Sequence, residues 1–107
     1  MKIAKVSEDR VTFDNGNYID YDHSPDCCEC NYADFSILTE NLVHYNYDFD
    51  ENLNFEFIGD EGFRFGSDGR WIFVPCYSEQ NGYYSTDIDI YYNGKRVLNG
   101  DCKFVYR

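Results

Sequence analysis

Arg70-Trp71-Ile72-Phe73-Val74-Pro75 is apolar at four successive positions, Trp71 to Val74, rather than at alternate positions or at helical spacing. A strand reads this way when both of its faces are covered, and a proline, which cannot donate to a ladder, closes it. The stretch therefore predicts the central strand of a sheet, ending at Pro75. On its N-terminal side, Asn54-Phe55-Glu56-Phe57 and Phe63-Arg64-Phe65 alternate aromatic with polar or charged residues, the period-two pattern of half-buried strands. Gly59-Asp60-Glu61-Gly62 and Gly66-Ser67-Asp68-Gly69 supply the turns. On its C-terminal side, Tyr83 to Tyr92 places Ile88, Ile90 and Tyr92 on one face and Asp87, Asp89 and Tyr91 on the other. Asn93-Gly94 is a type I′ turn signal with Lys95-Arg96-Val97-Leu98 pairing back. Asn99-Gly100-Asp101 reads as one more turn, so the last quarter is expected to be a three-stranded meander ending in Cys102 to Tyr106.

The first half opens with strand-like Lys2 to Ser7 and Arg10 to Phe13. Asp14-Asn15-Gly16-Asn17 forms a hairpin turn, with Tyr18 to Tyr21 as the return strand. The pattern then breaks at His23-Ser24-Pro25-Asp26-Cys27-Cys28-Glu29-Cys30-Asn31-Tyr32-Ala33-Asp34-Phe35. Pro25 ends a ladder and Asp26 can cap, which predicts a short helix over about Cys27 to Phe35. Ser36 to Tyr45 extends it or forms a second turn, with Ile37, Leu38 and Leu42 on one buried face. The expected fold is α+β: a mainly antiparallel sheet with one short helix carrying the Asp26-Cys27-Cys28-Glu29 block. Its 107 residues suit a single domain over the whole chain, 1–107.

Composition agrees with sheet, since aromatics make up 20 % of the residues and favour pleated, half-buried surfaces. The net charge is −11, with no Lys or Arg from Val11 to Phe63. Direct binding to nucleic acid or to anionic membrane is not expected on this balance, because phosphates need a basic surface. The charge suits a solvated surface or a negative face matched to a basic partner; Asp48, Asp50, Glu51, Asp60 and Glu61 are the candidates for that face. No stretch reads as a membrane span or as the apolar core of a signal peptide, so the expected location is cytoplasmic. Five cysteines, three of them crowded together, make a poor disulfide framework and are expected to be reduced.

Three constellations bear on chemistry. His23, Cys27 and either Cys30 or Glu29 would converge on a metal only through an irregular backbone, because neighbouring residues on a helix diverge by about 100°. The favoured reading is that one thiol packs as a small hydrophobe, with no metal and no cofactor. Thiolate catalysis at Cys27 or Cys28 is opposed by Asp22, Asp26 and Glu29 nearby, and no catalytic residues are assigned. Arg64, Arg70, Trp71, Tyr83 and Tyr84 would suit a nucleotide-like ligand by stacking and an arginine fork, the competing reading being an aromatic core with surface arginines.

The block formed by His23, Asp26, Cys27, Cys28, Glu29, Tyr32, Ala33, Asp34 and Phe35 carries a resemblance. It is preceded by Thr12-Phe13-Asp14-Asn15-Gly16 and followed by Gly62-Phe63-Arg64-Phe65 and Asn81-Gly82-Tyr83-Tyr84-Ser85. From about Val11 to Ile90 the chain resembles an uncharacterised family of small phage and prophage proteins. The resemblance implies a phage or mobile-element origin and a compact domain, and implies no activity. The function expected on these grounds is non-catalytic: occupation, in the host cytoplasm, of a basic surface on a host protein such as a nucleic-acid-handling defence protein. The alternative is sequestration of a nucleotide-like small molecule, and a third class is a metal- or thiol-dependent enzyme at the cysteine cluster.

Overall fold

The computed structural model describes residues 1–22, 30–40, 46–82 and 84–106. The strands among them are β1 (Ile3–Val6), β2 (Arg10–Phe13), β3 (Tyr18–Asp22), β4 (Cys30–Ala33), β5 (Asn54–Ile58), β6 (Gly62–Ser67), β7 (Arg70–Gln80), β8 (Asp87–Tyr92), β9 (Lys95–Asp101) and β10 (Lys103–Tyr106). Among the described residues one helix, α1 (Ser36–Glu40), follows β4. The first sheet has the order β1-β2-β3-β8-β9, antiparallel throughout. The second is built on β7, which pairs antiparallel with β6 and β4 and parallel with β10, while β5 pairs with β6.

The two sheets face each other across one core. Val11, Phe13, Ile19, Ile88 and Ile90 enter it from the first sheet, and Phe63, Phe65, Ile72, Val74 and Cys76 from the second. Aromatic edges bridge the sheets, with Phe13 6.3 Å from Phe65 and Phe55 5.5 Å from Tyr92. Phe35 and Leu38 close one end from the connection after β4.

The strand expected to end at Pro75 runs on to Gln80. Successive residues of a strand turn their backbone groups to opposite edges. Pro75 accepts from the Asp34 N–H on one edge, while the Cys76 N–H donates to Glu61 on the other. Pro75 therefore turns its nitrogen towards the β4 edge, one position beyond the last paired residues, Ala33 and Cys76, where no ladder donor is required.

The helix also differs from expectation. Cys30–Ala33 is a strand, because Asn31 and Ala33 turn inward and Cys30 and Tyr32 outward, with Cys76 to Glu79 as partners. The helix begins only at Ser36, where the Asp34 carboxylate accepts the Ser36 N–H at 3.0 Å and its hydroxyl. His23 to Glu29, including the Asp26-Cys27-Cys28-Glu29 block, lie outside the described residues.

The expected C-terminal meander is divided between the sheets. Asn93 and Gly94 do form the tight turn, with φ of 53° and 80°. Asn99-Gly100-Asp101, however, remains in β9, and the buried Cys102 carries the chain across to β10. Gly100 serves close approach rather than turning: a Cβ there would lie 2.6 Å from the Phe57 ring.

Candidate functional site

The core-facing residues of the first sheet fix what its other face presents. With Ile19 buried on β3 and Ile88 and Ile90 buried on β8, the alternate residues Asp20, Asp22, Asp87 and Asp89 point outward. Pairing then brings together carboxylates far apart in the chain: Asp22 lies directly opposite Asp89, and Asp87 directly opposite Asp101. Like charges in such positions destabilise a sheet. Asn99 offsets part of the cost, donating to Asp87 at 3.0 Å and to Asp89 at 2.8 Å. Two arginines border these five aspartates: Arg10 pairs with Asp20 at 3.0 Å and Arg96 approaches Asp89 to 3.8 Å. The face retains a net negative charge. Its carboxylates occupy a grid of roughly 5 Å across strands and 7 Å along them, which suits an extended basic surface rather than one ion. Among the described residues no three His, Cys, Asp or Glu side chains are grouped to hold a metal.

The acidic residues singled out along the chain are arranged differently. Asp48 binds the Met1 ammonium at 2.7 Å, which lowers its carboxyl below the usual range. The Asp50 N–H donates to Ser67 Oγ, so Asp48, Asp50 and Glu51 sit at the Ser67 end of β6. Asp60 and Glu61 occupy the turn at its other end. Six residues of strand separate these groups by about 20 Å, so they do not form one face.

The candidate nucleotide residues are also divided. The Arg64 guanidinium lies 4.1 Å from the Trp71 ring centroid and donates to Glu56 at 2.7 Å. Arg70 lies over Tyr47 at 5.6 Å. Tyr84 is held by Gln80, whose side-chain oxygen accepts its N–H at 2.8 Å. Trp71 and Gln80 stand nine residues apart on one strand, about 30 Å. Tyr83 lies outside the described residues, as do His23 and Cys27 of the candidate metal set; Cys30 is an exposed thiol on β4.

A cavity of about 490 Å³ opens between the end of β1, β3, β4 and the start of α1. Tyr21, Tyr32 and Phe35 supply aromatic walls, and Glu8, Asp34 and Glu79 carboxylates. Tyr32 donates to Glu79 at 3.1 Å; burial, and then that hydrogen bond, push its phenol up to about 12. Burial chiefly, and the charges of Asp9 and Glu8, raise Tyr21 as well. Neither Arg64 nor Arg70 lines this cavity, so it lacks the cationic fork a phosphate would need from them.

Behind the cavity Asn31, Ser78 and Gln80 are buried. Asn31 donates to the carbonyls of Ser85 and Asp87 at 2.9 Å each, Ser78 donates to Asn31, and Gln80 donates to Ser78 and to Ser85. These bonds tie the connection before β8 to the β4–β7 pair, which fixes Asp87 at the edge of the acidic face.

No family model, no curated protein and no solved structure matches the chain.

Proposed function

We propose that this is a non-catalytic binding protein whose outer first-sheet face, built on Asp20, Asp22, Asp87, Asp89 and Asp101, occupies a basic surface of a host protein. The observation that carries the reading is the pairing of aspartate with aspartate across β3–β8 and β8–β9. A sheet that keeps like charges opposite one another bears a cost that a basic partner relieves, so the face is worth more bound than free. A periodic array of negative charge resembles a nucleic-acid backbone, and a protein that handles nucleic acid is the class of partner whose surface it fits. The setting, a phage or mobile-element protein acting in the host cytoplasm, rests on the resemblance of the His23–Phe35 block.

The test is capture from bacterial lysate at physiological salt with three baits: the wild-type protein, a face variant (D20N, D22N, D87N, D89N) and a control neutralised at Asp48, Glu51, Asp60 and Glu61. A partner retained by wild type and control, lost by the face variant and displaced by duplex DNA supports the proposal. Equal retention by all three baits contradicts it.

A further inference from the structure

The cavity of about 490 Å³ lies apart from the acidic face. On β3, Asp20 and Asp22 point outward, so Tyr21 between them points inward, and its ring meets Phe35 at 5.9 Å. The cavity therefore opens between the sheets beside β4, and it has the size of a small-molecule site. Among its described lining residues are three carboxylates, Glu8, Asp34 and Glu79, and three aromatic rings, Tyr21, Tyr32 and Phe35, but no Lys, Arg or His.

An ionised carboxylate only accepts hydrogen bonds, with room for about four. Glu79 takes one from the Tyr32 hydroxyl, and Asp34 takes the N–H and the hydroxyl of Ser36, so both keep acceptor capacity. Among the described residues none of the three carboxylates is paired with a base. Their field reaches the aromatic walls: after burial, Asp9 and Glu8 raise the Tyr21 phenol, and Glu79 and Asp34 that of Tyr32. Such a cavity repels anions and attracts a cation that donates hydrogen bonds, and the aromatic faces add attraction for an ammonium group. A bare metal ion is not served, because no three His, Cys, Asp or Glu side chains are grouped to hold one among the described residues.

The β4–β7 ladder sets the length of the ligand. Asp34 lies level with Pro75, to which its N–H donates, while Cys30 is paired with Glu79. Pro75 and Glu79 stand four residues apart on β7, about 13 Å of strand. Asp34 and Glu79 thus sit at opposite ends of β4, and a compact ammonium ion meets only one of them. We propose that the cavity binds a linear aliphatic polyamine, with one protonated amine at the Asp34 end, another at the Glu79 end, and its methylenes against the aromatic walls. Glu8, in the connection between β1 and β2, adds the third charge. Two or more amines on an apolar chain match both the spread of carboxylates and the rings between the sheets.

This site is independent of the acidic face, and the probe that tests it is spermidine. Isothermal titration calorimetry at physiological salt is expected to show one saturable site per chain, with butylamine, which has a single amine, and adenosine monophosphate each at least about tenfold weaker. Glu79→Gln and Asp34→Asn keep an acceptor for Tyr32 and for Ser36, and each is expected to weaken spermidine about tenfold or more. Asp60→Asn with Glu61→Gln removes two charges from an exposed turn and is expected to bind as wild type, which separates the site from general attraction to a chain of net charge −11. Cys30, an exposed thiol that lines the cavity, gives a readout that needs no variant: its labelling by iodoacetamide is expected to slow when spermidine saturates the protein. The proposal is overturned by the absence of saturable binding, by equal affinity for butylamine, or by affinity that the cavity variants leave unchanged. Equal loss in the Asp60, Glu61 control, or Cys30 labelling indifferent to spermidine, overturns it as well.

Discussion

Neutralising one member of each aspartate pair is expected to stabilise the fold. Asp22 faces Asp89 and Asp87 faces Asp101, and directly opposed side chains have Cβ atoms about 4.5–5.5 Å apart. Two unit charges near 5.5 Å repel by about 0.75 kcal/mol in water, within the range of roughly 0.2–1 kcal/mol for cross-strand pairs. Asp22→Asn and Asp101→Asn should therefore each add a few tenths to about 1 kcal/mol, and the double variant more than either alone, with a departure from the sum because Asn99 bonds Asp87 and Asp89, one member of each pair. In a domain of this size 1 kcal/mol moves the midpoint by about 4–8 °C, so the double variant should melt several degrees higher at low salt. Asp60→Asn, in an exposed turn, controls for the general relief of negative charge. Differential scanning calorimetry at low salt and in 1 M salt separates the terms, because screening at about 3 Å removes the pair repulsion. The reasoning fails if Asp60→Asn stabilises as much as Asp22→Asn, or if the gain persists undiminished in high salt.

Three further outcomes are expected. Phe35→Ala should lose about 3–5 kcal/mol in denaturant unfolding, because the ring is buried beside Tyr21; Tyr32→Ala, at a half-buried position, should lose clearly less, and equal losses would contradict the packing described. Since the Tyr32 phenol is raised from 10.0 to about 12, the unfolded chain sheds this proton first, and the stability Tyr32 contributes below pH 10 is lost as pH rises to about 12. Tyr32→Phe should flatten that alkaline decline, and an unchanged slope would refute the assignment. Cys76 and Cys102 are buried, and the neighbouring Cys102 thiol together with burial pushes Cys76 up. Mapped thiol labelling should modify Cys30 in the native protein and reach Cys76 and Cys102 only on unfolding, so labelling of Cys76 at the rate of Cys30 would count against the buried pair.

The local signals in the sequence were legible where the chain turns back on itself. Asn93-Gly94 and Gly16 mark hairpins because positive φ favours those residues, and the alternation of Phe55, Phe57, Phe63 and Phe65 marks β5 and β6. Long-range pairing was not legible. Cys30–Ala33 is only four residues long, and its strand character depends on β7 being there to pair with it. Gly100 reads as a turn residue because a ring packed against its backbone leaves no local trace. The destination of β10 depends on Cys102 being buried between the sheets. The same limit hid the acidic face. Along the chain the acidic residues stand out in the Val11–Phe63 span that lacks Lys and Arg, whereas Asp22 and Asp89 become neighbours only through the β3–β8 pairing. The available signal was the outward alternation of Asp20 with Asp22 and of Asp87 with Asp89 on two strands.

Whether the first-sheet face meets a basic partner is read from the association rate constant of the captured partner measured against ionic strength. Rim charges act chiefly on association rather than on residence time. The expected result is that D20N, D22N, D87N, D89N slows association and flattens its salt dependence, while the control neutralised at Asp48, Glu51, Asp60 and Glu61 keeps the wild-type slope. Identical slopes for the two variants would contradict the claim.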